Sequence, residues 1–226
     1  MNGAILALDA AAAACSVALW RNGRVLAYRE SPMARGHAEA LMPLVLEAMA
    51  ATGLDFADLE KIAVGVGPGS FTCIRIALAA ARGIALAAGR PVMGIDSFNA
   101  LAAAIPAPLL AGHSLLVVIE SKRRELFGQY FDSHRQARGE ALVLEPSALL
   151  KMRPAGPLLV AGDGAAHLPA GPDMIQAPGP GRPDARAIAQ LAAEGRVILG
   201  AVPLYLRPPD VTLPPGEPPE GPRAES

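Results

Sequence analysis

Cysteine is scarce in this chain. Cys15 and Cys73 are its two cysteines, too few for a disulfide framework and suited to a reducing compartment. Charge of either sign is missing in excess: Lys+Arg 20 against Asp+Glu 21 gives a net charge of −1. That argues against a dedicated nucleic-acid binder, which usually carries a basic face. Its tightest basic cluster is Lys122-Arg123-Arg124, read as a solvated hairpin tip rather than a phosphate site. Histidine is rare, and His37, His113, His134 and His167 form no pair at helical spacing; Leu41 stands four residues after His37. A helical two-histidine metal site is therefore excluded. A targeting segment is lacking too. No Lys or Arg precedes the first apolar run, and Asp9 interrupts it, so the faintly lipoprotein-like Ala12-Ala13-Ala14-Cys15 does not qualify. The long apolar run at 71–88 contains Arg75 and Arg82, each costing about 2.5–3.5 kcal/mol at a bilayer centre. The expectation is a cytoplasmic protein with no membrane partner.

What is present is apolar, at 52% hydrophobic residues over 226, enough for a sizeable core. The reading centres on Gly65 to Arg75 and the Ala-rich run to Ala88. A strand at 62–66 passes through Gly67-Pro68-Gly69 into a helix at 71–88, roughly 27 Å long. Gly67 and Gly69 take backbone angles other residues resist, and Ser70 caps the helix. Such a start is a candidate anion site, formed by Gly67, Gly69, Ser70, Thr72 and Arg75. Arg75 is the more readily explained as pairing with Glu39 or Asp96.

Around this stretch, strands are expected at 4–9, 15–20 and 24–30, with an Ala turn at 10–14 and an Asn22-Gly23 hairpin. A helix at 37–52 carries Leu41, Met42, Val45, Leu46 and Met49 at helical spacing, contains Pro43 and ends at Gly53. A connector at 55–60, a strand at 91–95 and a helix at 97–104 complete the first half, and 105–108 reads as a linker. The second half opens again with strands, at 114–119, 126–131 and 140–144. A helix at 146–152, a strand at 158–161, a turn at 162–164 and a helix at 184–194 follow. Three strands followed by alternating elements predict a mixed sheet flanked by helices, and their recurrence predicts two similar domains around a cleft. The boundaries are 1–106, 107–207, and a Pro-rich disordered tail at 208–226 with seven prolines.

Enzymatic options are poorly supplied. Asp9 ends a strand, as a carboxylate for metal-bound water must in a phosphate-gripping hairpin, but residues 10–14 add no hydroxyl and no glycine. Ser70 lies on a strand–turn–helix, yet Pro68 and Thr72 occupy the places where a nucleophile elbow needs glycine. No catalytic residue is assigned. A helix apolar over much of its circumference buries one face on its own sheet, and the remainder marks an interface.

The segments Ile5-Leu6-Ala7-Leu8-Asp9, Cys15 to Leu19, His37 to Pro43, Gly67 to Thr72 with Arg75, and Pro203-Leu204-Tyr205-Leu206-Arg207 stand in an order that resembles the TsaB (YeaZ) family. The resemblance covers residues 3–207. It implies an α/β protein of two actin-like (ASKHA, ribonuclease H-like) domains. It also implies a non-catalytic scaffold that pairs with the catalytic subunit TsaD, with the ATPase TsaE docking on the pair. Together these place threonylcarbamoyl on the adenosine next to the anticodon of tRNAs reading ANN codons. On this reading tRNA is met only through the complex, the chain self-pairs when alone, and no cofactor is held tightly, a nucleotide at the subunit boundary being left open. The implied partner surface comprises His37, Glu39, Leu41, Met42, Val45, Leu46, Met49, Ile74, Leu78 and Ala81. Family members often have Thr where this chain has Ala10 and usually Gly where it has Cys73. The rival reading is an ATP-dependent enzyme using its own cleft, with Asp9 and the 67–72 turn as phosphate contacts. A peptidase remains as an analogy to glycoprotease-like relatives.

Overall fold

The computed structural model describes residues 3–179, 181–196 and 199–207. The expected tail at 208–226 lies outside the described residues. The first sheet contains β1 (Ala4–Ala12), β2 (Ala14–Arg21), β3 (Arg24–Pro32), β4 (Leu59–Gly65) and β5 (Val92–Ile95), in the order β3-β2-β1-β4-β5. β1 pairs antiparallel with β2 and parallel with β4, so the sheet is mixed. β1 is buried along almost its whole length because helices cover both faces of the sheet. Its alternate residues divide the core. Ala4, Leu6 and Leu8 join the cluster under α1 (His37–Thr52) and α2 (Phe71–Ala88), while Ile5 and Ala7 join the cluster under α6 (Ala185–Glu194).

The second sheet contains β6 (Ser114–Glu120), β7 (Leu126–Phe131), β8 (Ala137–Leu144), β9 (Leu158–Ala161) and β10 (Met174–Gln176), in the order β10-β9-β6-β7-β8. Counted from its own first strand, this repeats the first sheet's order, with the same antiparallel meander and the same parallel additions. The recurrence expected from sequence is thus a true architectural repeat, and the fold is the two-sheet actin-like α/β arrangement.

Local boundaries differ in instructive ways. The expected Ala turn at 10–14 is strand: β1 runs through a register shift to Ala12, and Ala13 alone separates it from β2. Alanine carries no turn chemistry, and pairing with β2 keeps the backbone extended. Residues 105–108 are more than a linker, for α4 (Ala107–Leu110) forms a turn of helix that buries Leu110. β10 is three residues long and had no periodicity to betray it.

The domain boundary at 106/107 also needs correction. α6, near the end of the chain, returns to the first sheet, where Ile188, Ala189, Leu191 and Ala192 pack beside Ile5, Ala7, Ala18 and Ala63. Residues 1–106 alone leave that face largely bare, so the later helix is needed to bury it. α3 (Ser97–Ala104) is shared: Phe98 and Leu101 join the second sheet's cluster and Ala100 the first's. α5 (Pro146–Lys151) covers the other face of the second sheet through Leu149.

Candidate functional site

Asp9 sits near the end of β1, 2% exposed. Its Oδ2 accepts the Ala11 N–H at 3.1 Å, while Oδ1 has no hydrogen-bond partner among the described residues. Oδ1 points at Gly65 on the adjacent β4, where a Cβ would lie only 2.0 Å away. Burial, reinforced by the Asp184 charge, pushes the carboxyl up to about 7 against the Ala11 hydrogen bond. Ser16, Asp9's cross-strand neighbour, is already committed: its Oγ accepts the Ala185 N–H at 3.1 Å and seats α6. These residues do not fit a magnesium nucleotide, since the carboxylate is enclosed and the neighbouring hydroxyl is spent.

The turn between β4 and α2 is wedged against the first hairpin. The Gly67–Pro68 peptide is cis. Ser70 N–H donates to Ala11 O at 2.8 Å, and Ser97 N–H donates to Gly67 O at 2.7 Å. Ser70 Oγ accepts the Cys73 N–H at 3.5 Å as N-cap. A side chain at Gly69 would place its Cβ 2.4 Å from Ala11 O, which is backbone and cannot swing aside. Gly69→Val is therefore expected to cost several kcal/mol, read as a large drop in the denaturation midpoint; an unchanged midpoint would refute the wedge. Two donors of the presumed anion nest are thus already used. Arg75 pairs with neither Glu39 nor Asp96. Its guanidinium lies 3.7 Å from the Phe71 ring centroid, and Nε donates to the Tyr205 hydroxyl at 2.9 Å. Asp96 instead caps α3 through the Asn99 N–H at 2.8 Å. The sequence reading missed Tyr205 as Arg75's partner because 130 residues separate them.

The expected partner surface divides in two. His37, Leu41, Val45, Met49, Ile74, Leu78 and Ala81 are all buried. They face the chain's own sheet and are corrected from interface to core, because helical periodicity marks an apolar face without saying what covers it. His37 Nε2 lies 3.0 Å from Ala12 O, so that nitrogen carries a proton and ties α1 to the first hairpin. The outward members are Glu39, Met42 (37% exposed) and Leu46 (56%). α2 adds the exposed Ala79, Gly83 and Leu86, so these adjacent helices expose apolar side chains beside the charged Glu39, Glu47, Arg75 and Arg82.

Across the cleft, Leu101, Ala161, Gly162, Gln176, Gly181 and Arg182 help line a cavity of about 160 Å³. Gly162 has φ 105°, and a Cβ there would lie 2.0 Å from Val118 O. The charged side chains on its rim are paired. Arg182 donates to Glu30 at 2.9 and 3.0 Å, and Arg186 to Asp184 at 2.5 Å. Tyr28 OH donates to Asp184 Oδ2 at 3.5 Å, and burial raises its pKa. This network of Tyr28, Glu30, Arg182, Asp184 and Arg186 was not singled out from sequence, because it joins two short segments more than 150 residues apart. On the second sheet, Asp163 Oδ1 accepts the Glu120 N–H at 2.8 Å, and burial raises its pKa.

Fold and site together define a two-lobed actin-like protein with an enclosed carboxylate at Asp9 and a helix pair that exposes Met42, Leu46 and Leu86. The family model for TsaD, tRNA N6-adenosine threonylcarbamoyltransferase, matches residues 31–171. The tRNA threonylcarbamoyladenosine biosynthesis protein TsaB of Escherichia coli K12 is 41% identical over 98 residues, a stretch covering 43% of this chain and 42% of that relative. An uncharacterized protein of Mycobacterium tuberculosis H37Rv is 34% identical over 212 residues, 91% of this chain and 92% of its own length. YeaZ from Pseudomonas aeruginosa superposes with a TM-score of 0.76 at 26% identity, covering 90% of this chain and all of that one. The chain belongs to the TsaB (YeaZ) family.

Proposed function

We propose that this chain is a non-catalytic scaffold subunit in the biosynthesis of threonylcarbamoyladenosine in tRNA. It pairs through the outer faces of α1 and α2 with the related catalytic transferase subunit, TsaD. The observation that carries the reading is the exposure of Met42, Leu46 and Leu86 on adjacent helices whose inner faces are already filled. An uncovered apolar surface of this kind is normally an interaction site. The names of the matched relatives support the pathway, and the family resemblance supports a TsaE ATPase on the pair, self-association of the lone chain, and a cytoplasmic setting. In this reading tRNA is met through the complex, in keeping with a net charge of −1.

The enclosed Asp9 argues against an ATP-dependent activity of the isolated chain. So does the cleft cavity, whose 160 Å³ falls short of the roughly 300 Å³ at the small end of ligand sites. Titration of the isolated protein with ATP and Mg²⁺ in a calorimeter is expected to give no saturable heat below millimolar ligand. Micromolar binding with turnover would replace the scaffold reading by an enzymatic one.

A further inference from the structure

The segment after α6 takes a course that neither sheet requires. Leu199 and Gly94 exchange two backbone hydrogen bonds of 2.9 Å each, adding the segment to the β5 edge. Gly94 is shaped for this seat, because a Cβ would lie 2.5 Å from Gly200 O and 2.7 Å from Val66 Cγ1. The chain then runs along α2 from Arg82 back to its start at Phe71. Arg82 donates to Ala201 O, Leu204 N–H donates to Val66 O at 2.8 Å, and Tyr205 stacks on Phe71 with centroids 4.9 Å apart. It ends on the other lobe. Leu206 packs against the second-sheet cluster, and Arg207 donates to Glu125, beside β7, at 3.0 Å. A run of nine residues is thus anchored at one sheet's edge, at Val66 with Leu204 O close against Gly67 at the start of the 67–70 turn, and at the opposite sheet's hairpin.

We propose that residues 199–207 are an interlobe strap that fixes the angle between the two sheets and holds the 67–70 turn in place. The two amide contacts at Leu199 and Leu204 bind it to the first lobe. Leu206 and Arg207 bind it to the second. Between them, Phe71, Arg75 and Arg82 on α2 keep it from swinging. A cleft tied in this way keeps one opening, unlike a hinge that closes on its ligand.

The test uses the full chain with Cys73→Ala, spin-labelled at Arg24→Cys and Glu140→Cys, exposed positions on the two lobes. Interlobe distances and amide exchange are measured together. The intact strap is expected to give one narrow distance and amides at Leu199 and Leu204 protected at least 100-fold. Gly94→Val, which blocks the seat, is expected to raise exchange across 199–204 at least tenfold and to broaden the distance distribution. Arg207→Ala, a surface change that keeps the fold, is expected to broaden the distribution while protection at Leu199 persists. Unprotected strap amides in the intact chain would overturn the proposal. So would a distance distribution as narrow in Arg207→Ala as in the intact strap, or one left unchanged by a Gly94→Val that releases the strap.

Discussion

Met42→Asp and Leu46→Asp, made together, are expected to weaken pairing with the transferase subunit by at least about 100-fold while the chain still folds. Burying a large aliphatic side chain contributes about 1.5–3 kcal/mol, and each 1.4 kcal/mol is a decade in affinity. Two such losses, with carboxylates placed in an apolar contact, exceed two decades. The fold survives because the two side chains are 37% and 56% exposed and the α1 core contacts come from Leu41, Val45 and Met49. Leu41→Ala is the informative contrast. It removes a side chain that is 1% exposed, should cost about 2–5 kcal/mol of stability, and should spare affinity in whatever fraction remains folded. Sedimentation or calorimetry with the purified partner reads affinity, and urea unfolding reads stability. A double aspartate variant that pairs as well as the parent chain would remove α1 from the interface and with it the scaffold proposal.

The second large effect concerns Asp9, and its sign follows from burial. The carboxyl titrates at about 7 in the fold against 3.8 ordinarily. Below pH 4 it is protonated in both folded and unfolded chains and carries no penalty. As pH rises from 4 to 7 the unfolded chain gives up this proton more readily, so stability falls; above 7 the loss is complete and constant. The loss is on the order of a few kcal/mol, at 1.36 kcal/mol per pKa unit. Asp9→Asn keeps an oxygen for the Ala11 N–H and removes the titration. It is expected to be more stable than the parent chain at pH 8 and similar at pH 4. Urea midpoints at the two pH values measure this. A variant less stable at pH 8 would mean that the ionised carboxylate serves the fold, or a ligand, in a way its enclosure contradicts.

Much of the architecture was legible in local signals. Asn22-Gly23 marked a hairpin, Gly53 and Gly195 ended helices in left-handed geometry, and α2 runs from Phe71 to Ala88 as its cap and composition require. Where the reading failed, the deciding contact was long-range. Whether Leu41 or Leu46 faces outward depends on which side of α1 the sheet lies, and both satisfy the same helical spacing. The return of α6 to the first sheet is set by the bare face holding Ile5, Ala7 and Ala63, a property of the assembled sheet. Arg75 was placed near a carboxylate because charge pairing is the simplest local expectation; an aromatic hydroxyl 130 residues away took that role. The candidate anion site was legible as a motif, but not the fact that Ala11 O had already claimed the Ser70 N–H.

The repeated strand order gives the molecule two topologically equivalent hairpin tips that differ in chemistry. The first tip, around Ala13, offers only methyl groups. The second, Lys122-Arg123-Arg124, still carries cations, although Glu120 and Glu145 neutralise part of them. The doubling of the fold is thus a repeat of backbone order and not of side-chain chemistry.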